Sequence, residues 1–107
     1  MNLTGKCKID FEKWRISKKD SYLKHCFFEE LMPSMQYGVY VDFFDSIGIM
    51  IELQVQVTPT MQGGFFKCIR PSILSDGRFH NVLASFGTRE RARTESIKKA
   101  NEIYNLN

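Results

Sequence analysis

Between Ile49 and Val57 apolar and polar residues alternate without a break. Ile49, Ile51, Leu53, Val55 and Val57 fall on one side, and Met50, Glu52, Gln54 and Gln56 on the other. A period of two specifies a β-strand with one face on a core and the other toward water. Upstream the period changes. From Ser34 to Ile47 a helical wheel gathers Ser34, Gly38, Asp42, Asp45 and Ser46 on one narrow face, while Tyr37, Val39, Tyr40, Val41, Phe43, Phe44 and Ile47 cover most of the rest. Such a helix is mostly buried, and Gly48 follows where a left-handed C-cap belongs. Val39-Tyr40-Val41 has high strand propensity, but Asp42-Phe43-Phe44-Asp45 spoils alternation and decides for the helix.

The same logic assigns the remaining elements. Thr4 is placed to cap a first helix with Cys7, Phe11 and Trp14 as its apolar stripe, broken at Lys18-Lys19-Asp20-Ser21. Leu23, Cys26, Phe27 and Leu31 outline a further helical segment over 21–31, which Pro33 ends or interrupts. After the alternating strand, Thr58-Pro59-Thr60-Met61-Gln62-Gly63-Gly64 reads as a loop. Phe65 to Arg70 is a second strand, expected to stop at Pro71 for want of a donor. Ser75-Asp76-Gly77 is a turn, and Phe79 to Phe86 a third strand. Thr88 caps a last helix to about Tyr104, with Ala92, Ser96, Ile97, Ala100, Ile103 and Tyr104 inward. The expected fold is α+β, one domain over 1–107 in the order α-α-β-β-β-α. Its three antiparallel strands carry helices mainly on one face, and the N-terminal segment 4–31 is available to cross the sheet.

Composition narrows the chemistry. A chain of 107 residues that is 43% hydrophobic, with nine Phe, four Tyr and one Trp, can build a core without disulfides. The three cysteines, Cys7, Cys26 and Cys68, form no Cys-x-x-Cys or Cys/His cluster, so zinc is disfavoured and reduced thiols in a cytoplasm are expected. No apolar run is long enough for a membrane span, and Met1–Lys6 lacks the apolar stretch of a signal peptide. The net charge of +3 is unevenly spread, with no base in 31–60 and eight bases against four acids in 61–107. That balance admits an acidic partner without requiring one.

No catalytic constellation emerges. Asp42 and Asp45 at i, i+3 could share a cation or a proton, yet no third ligand lies at helical spacing, and a solvated stripe explains them. His25 and His80 have no nucleophile or acid at a diagnostic spacing. Gly63-Gly64 and Asp76-Gly77 are turn signals without the Lys-Ser/Thr of a phosphate loop. An enzyme would need the fold to join Asp42 and Asp45 to a histidine. No cofactor or metal is expected.

Two surfaces remain as binding candidates. Arg89, Arg91 and Arg93 open the last helix, where its dipole would favour phosphate, and Lys67, Arg70 and Arg78 precede them. Against this, Arg91–Glu95, Glu95–Lys99 and Lys98–Glu102 have the spacing of self-satisfied pairs. Arg93, inside the apolar arc, must snorkel, pair with a buried acid or meet a partner. The second surface is the amide-rich side of the first strand, Met50, Glu52, Gln54 and Gln56, which no helix is assigned to cover.

Three segments together resemble small accessory proteins of phages and prophages of Bacteroidota, a family with no assigned activity. They are Leu3-Thr4-Gly5-Lys6-Cys7 with Asp10-Phe11-Glu12-Lys13-Trp14, the run Ser34 to Ile49, and Thr88-Arg89-Glu90-Arg91-Ala92-Arg93 with Lys99-Ala100-Asn101-Glu102-Ile103-Tyr104-Asn105. Residues 50–87 lie outside the likeness. It implies a mobile-element protein that binds host machinery in the cytoplasm of an infected bacterium, as anti-CRISPR proteins block RNA-guided nucleases. The expected partner is thus a bacterial protein or ribonucleoprotein such as a defence nuclease with its guide RNA. The helix–three strands–helix order is also similar to double-stranded-RNA-binding domains. However, the loop over 58–64 has no His, and Arg89-Glu90-Arg91-Ala92-Arg93 only loosely follows that family's basic helix entry. Direct RNA or DNA binding through the basic start of the last helix is therefore the alternative.

Overall fold

The computed structural model describes residues 1–17, 28–81 and 84–106. Its elements are α1 (Gly5–Ser17), α2 (Pro33–Ser46), β1 (Ile49–Pro59), β2 (Phe65–Ser75), β3 (Arg78–Asn81) and α3 (Arg89–Leu106), with a single 3-10 turn at Phe28–Glu30. The expected order and the α+β class are those observed. The break at 18–21 and most of the 21–31 segment lie outside the described residues. Pro33 begins α2, where a missing N–H is harmless.

The strands form one antiparallel sheet in the order β1-β2-β3. Helix α2 lies against β1 and α3 against β2, while α1 packs on α3 and α2. All three helices therefore stand on one side. Their apolar stripes meet the inward residues Ile49 and Ile73 in a cluster with Phe11, Phe28, Tyr40, Phe43, Phe44 and Ile97. Phe11 is the hub of its aromatic part, with ring centroids 4.9 Å from Tyr40, 5.3 Å from Phe28 and 5.4 Å from Phe43. Gly48 (φ +85°) closes α2, as the cap pattern requires. Thr88 caps α3, its Oγ1 accepting from the Arg91 N–H at 3.3 Å.

Three expectations fail, each for an identifiable reason. β2 does not stop at Pro71 but continues to Ser75, with Pro71 buried opposite Leu53. Ile69 and Phe86 exchange both backbone hydrogen bonds at 2.8 Å, so Ile69, and Pro71 two residues on, face the third-strand side. On that side three steps along β2, from Ser72 to Ile69, oppose five from Asn81 to Phe86. The proline turns its nitrogen away from β1, so the β1–β2 ladder loses no donor. With those unequal steps the third strand is Arg78–Asn81 with a separate bridge at Phe86, rather than one strand over 79–86.

The third failure is the cap of α1. Thr4 does not cap its own helix; two asparagines of α3 do. Asn105 Oδ1 accepts from the Cys7 N–H and Asn101 Oδ1 from the Thr4 N–H, both at 2.9 Å. Asn101 Nδ2 donates to Thr4 Oγ1 and Asn105 Nδ2 to the Thr4 carbonyl, again at 2.9 Å. Orphan donors of a helix start need acceptors, and here they come from the other end of the chain. Gly5 (φ +62°) makes room, since a Cβ there would stand 3.2 Å from Asn105. Tyr104 adds a hydroxyl donated to Asp10, which also pairs with Lys6 at 3.8 Å.

Candidate binding surface

Alternation along β1 assigns side chains to faces, while length decides how far each face is covered. Eleven strand residues span about 36 Å, whereas the 14 residues of α2 span about 21 Å. The helix layer therefore runs out. Ile49, Ile51 and Leu53 are buried or half-buried as expected, but Val55 and Val57, expected to meet helices, are exposed, Val57 by 59%. Past Leu53 the β1–β2 hairpin projects as an arm, flanked on the third-strand side only by the Ile69–Phe86 bridge at its base. The radius of gyration of 15.6 Å exceeds the roughly 13 Å of a compact chain of this length.

The arm is closed firmly and tipped with apolar groups. The Thr60 N–H donates to the Gly64 carbonyl at 2.8 Å, and Thr60 Oγ1 accepts from the Gly64 N–H at 3.1 Å. Gly63 supplies the left-handed residue (φ +85°) that turns the chain. Met61 stands fully exposed at the tip, and Phe65 and Phe66 are exposed by 75% and 58%. Sequence reading placed Phe65 and Phe66 in a strand without recognising their exposure. The signal was available in the length of the strands relative to the helices.

The sheet face opposite the helices carries Met50, Glu52, Gln54 and Gln56 in one row, as expected. No helix among the described residues covers it. Register sets Leu74 and Phe79 beside Met50, Ser72 beside Glu52, Arg70 beside Gln54, Cys68 beside Gln56 and Phe66 beside Thr58. Met50, Glu52, Gln54, Arg70 and Phe66 are exposed, Phe79 by 68%; Gln56 is half-buried, its Oε1 4.0 Å from Cys68 Sγ. The result is a face with apolar groups at both ends, Met50/Phe79 and Phe66, and an amide, carboxylate and guanidinium centre.

The six predicted cations do not form one site. Arg70 is on this open face. Lys67 faces the helix side of the arm, two positions from Ile69, whose bridge partner Phe86 lies under the Arg91 guanidinium at 5.8 Å. Arg89 and Arg91 are exposed and, with Lys67, have no acidic partner among the described residues. Arg93 is half-buried and lies over the Tyr37 ring at 5.6 Å, the snorkelling solution to its place in the apolar arc. Burial pushes the Tyr37 hydroxyl upward, while a Ser96 hydrogen bond and Arg93 oppose the shift. Arg78 is remote from the helix entry, in a groove of about 390 Å³ at the other end of α3 with Asp76, His80, Lys99 and Glu102. The predicted i, i+4 pairs of α3 do not close; Lys99 pairs with Glu102 at 3.9 Å instead.

Asp42 and Asp45 are exposed on α2 and do not line the His80 groove. His25 lies outside the described residues, as does Cys26. Among the described residues no group of three or more His, Cys, Asp or Glu is placed to hold a metal, and no helix is long and apolar enough to cross a membrane. Cys7 and Cys68 are buried free thiols; burial, reinforced by Asp10, pushes Cys7 up to about 12. No protein-family model, curated protein or solved structure matches the chain.

Proposed function

We propose that this chain is a non-enzymatic accessory protein of a phage or prophage. It binds and modulates a bacterial target through the helix-free sheet face and the tip of the arm. The observation that carries the reading is the exposed row Met50, Glu52, Gln54 and Gln56, extended by Phe79, Arg70 and Phe66. Exposed apolar groups that rim a polar centre mark contact surfaces, and aromatic residues and Arg are the side chains that dominate binding energy. The resemblance of the terminal and central segments supplies the context, and a defence nuclease or its guide-RNA complex is the most concrete target. The site of action is the cytoplasm of the host bacterium.

Affinity purification from such a host tests this. The wild type is expected to retain a nuclease or ribonucleoprotein that Phe66→Ser/Arg70→Glu loses while its fold, read by circular dichroism, is unchanged. Recovery of no such target, or equal recovery by the variant, counts against the reading.

Direct RNA or DNA binding is favoured by one observation, the exposed trio Lys67, Arg89 and Arg91, none with an acidic partner among the described residues. Phosphate contacts would make affinity fall steeply with salt. Mobility shifts on wild type and Arg89→Ala/Arg91→Ala at two salt concentrations separate the readings. Salt-insensitive or unaltered binding removes this trio from the site.

A further inference from the structure

β1 is an edge strand of 11 residues whose outer side no described residue pairs. The Ile69–Phe86 bridge fixes which groups lie there. Ile69 turns its N–H and C=O toward the third strand, so Arg70, Ser72 and Leu74 turn theirs toward β1. Their partners Gln54, Glu52 and Met50 are thereby engaged. Ile51, Leu53, Val55 and Val57 present theirs to the free edge. The inward-turned Thr60 N–H at the tip keeps this alternation, and Pro59 falls on the edge-facing side, where a missing donor breaks nothing.

Natural proteins blunt such edges with lysines, bulges, prolines or brevity. β1 has none of these along Ile49–Thr58. Its register with β2 is unbroken, it carries no base, and its single charge is Glu52.

We infer that β1 pairs antiparallel with β1 of a second copy about a two-fold axis at Gln54, joining two sheets into one of six strands. In that register the whole of Ile49–Pro59 opposes itself. On the helix side Leu53 meets Val55 and Ile51 meets Val57 of the second copy. On the open side Glu52 meets Gln56, and Gln54 meets Gln54. The only charge is thus never opposite its like, and the Gln56 amide N–H faces the Glu52 carboxylate as a donor. An axis perpendicular to the sheet keeps both helix layers on one side. The uncovered Val55 and Val57 of each arm then lie beside the strand segment that α2 covers in the other copy. Each copy supplies the cover that the other lacks, which is the self-complementarity an isologous interface requires. The open faces become one continuous surface. The inference stands on the edge and its register, independently of the proposed target.

Sedimentation of the full chain over a concentration range tests it. A monomer–dimer equilibrium is expected, with dimer dominant by about 100 μM. Val57→Pro removes an edge-facing donor while sparing the β1–β2 ladder, and should weaken association by about tenfold or more with an unchanged circular dichroism spectrum. Gln54→Cys places two thiols on the axis at a Cα separation of about 4.5 Å, within reach of a disulfide. Mild oxidation should cross-link it well beyond the wild type. A monomer at every concentration overturns the proposal and leaves the edge to a strand of another protein. A dimer indifferent to Val57→Pro, or Gln54→Cys that cross-links no better than wild type, overturns the interface and its register.

Discussion

The clamp that joins α1 to α3 and the arm that extends β1 and β2 are built on opposite principles. In the clamp, four hydrogen bonds at 2.9 Å tie Thr4 and Cys7 to Asn101 and Asn105, and Phe11 beside it is buried among rings. In the arm, the β1–β2 pairing joins near neighbours in the chain, and Val57, Met61, Phe65 and Phe66 lie open to solvent. One region spends its apolar surface on internal stability and the other leaves it available. Stability and recognition are therefore separable by mutation, and four measurements test that separation.

The largest contrast should come from phenylalanine. Phe43 is buried, with its ring 5.4 Å from Phe11 and 5.6 Å from Trp14. Phe43→Ala is expected to cost about 3–5 kcal/mol in denaturant unfolding, and a loss below about 1 kcal/mol would break the comparison. The next effect is at the clamp. Asn101→Ala strips partners from the Thr4 N–H and hydroxyl and should cost about 1–3 kcal/mol, with an unaltered stability meaning that water replaces the amide.

Alkaline pH sharpens the contrast further. Cys7, Tyr40 and Tyr104 are all pushed up to about 12, Cys7 and Tyr40 chiefly by burial and Tyr104 chiefly by its hydrogen bond to Asp10. Their ordinary values are 9.0 for the thiol and 10.0 for the phenols. Each folded value lies above the unfolded one, so the unfolded chain releases protons first. The stabilisation is complete below about pH 9 and is lost as pH rises through 10 toward 12. Unfolding midpoints measured between pH 8 and 11.5 should fall accordingly, and Tyr104→Phe should flatten the decline. The smallest effect belongs to the arm. Phe66→Ser should change stability by no more than about 0.5 kcal/mol, and a larger loss in the same unfolding assay would show that the arm supports the core.

Elements governed by local periodicity were legible in the sequence. Ser34–Ile47 reads as a helix because its polar residues share one face, and the chain adds only Pro33 at its start while ending at Ser46. The caps at Gly48 and Thr88 follow from residue type alone. Features set by distant partners were not legible. Thr4 has the composition of an N-cap, and nothing nearby indicates that Asn105, 98 positions from Cys7, accepts the Cys7 N–H in its place. Alternation gave the row Met50, Glu52, Gln54 and Gln56 its face, but exposure of Val55 depended on where a helix ended. The six cations are close in sequence, yet strand parity sends Arg70 and Lys67 to opposite faces and the β2–β3 turn carries Arg78 away. The segments Leu3–Cys7 and Lys99–Asn105, at opposite ends of the described residues, form the two halves of the clamp.

That clamp also orders events during synthesis. A 13-residue helix is marginal alone, and the acceptors for the first turn of α1 are made 97 and 98 residues after the groups they bind. The hairpin of β1 and β2 closes through neighbours in the chain and can form early, whereas the start of α1 waits for residue 105. Proteolysis of stalled nascent chains should therefore find the N-terminal helix accessible long after the arm has become resistant, although it was made first.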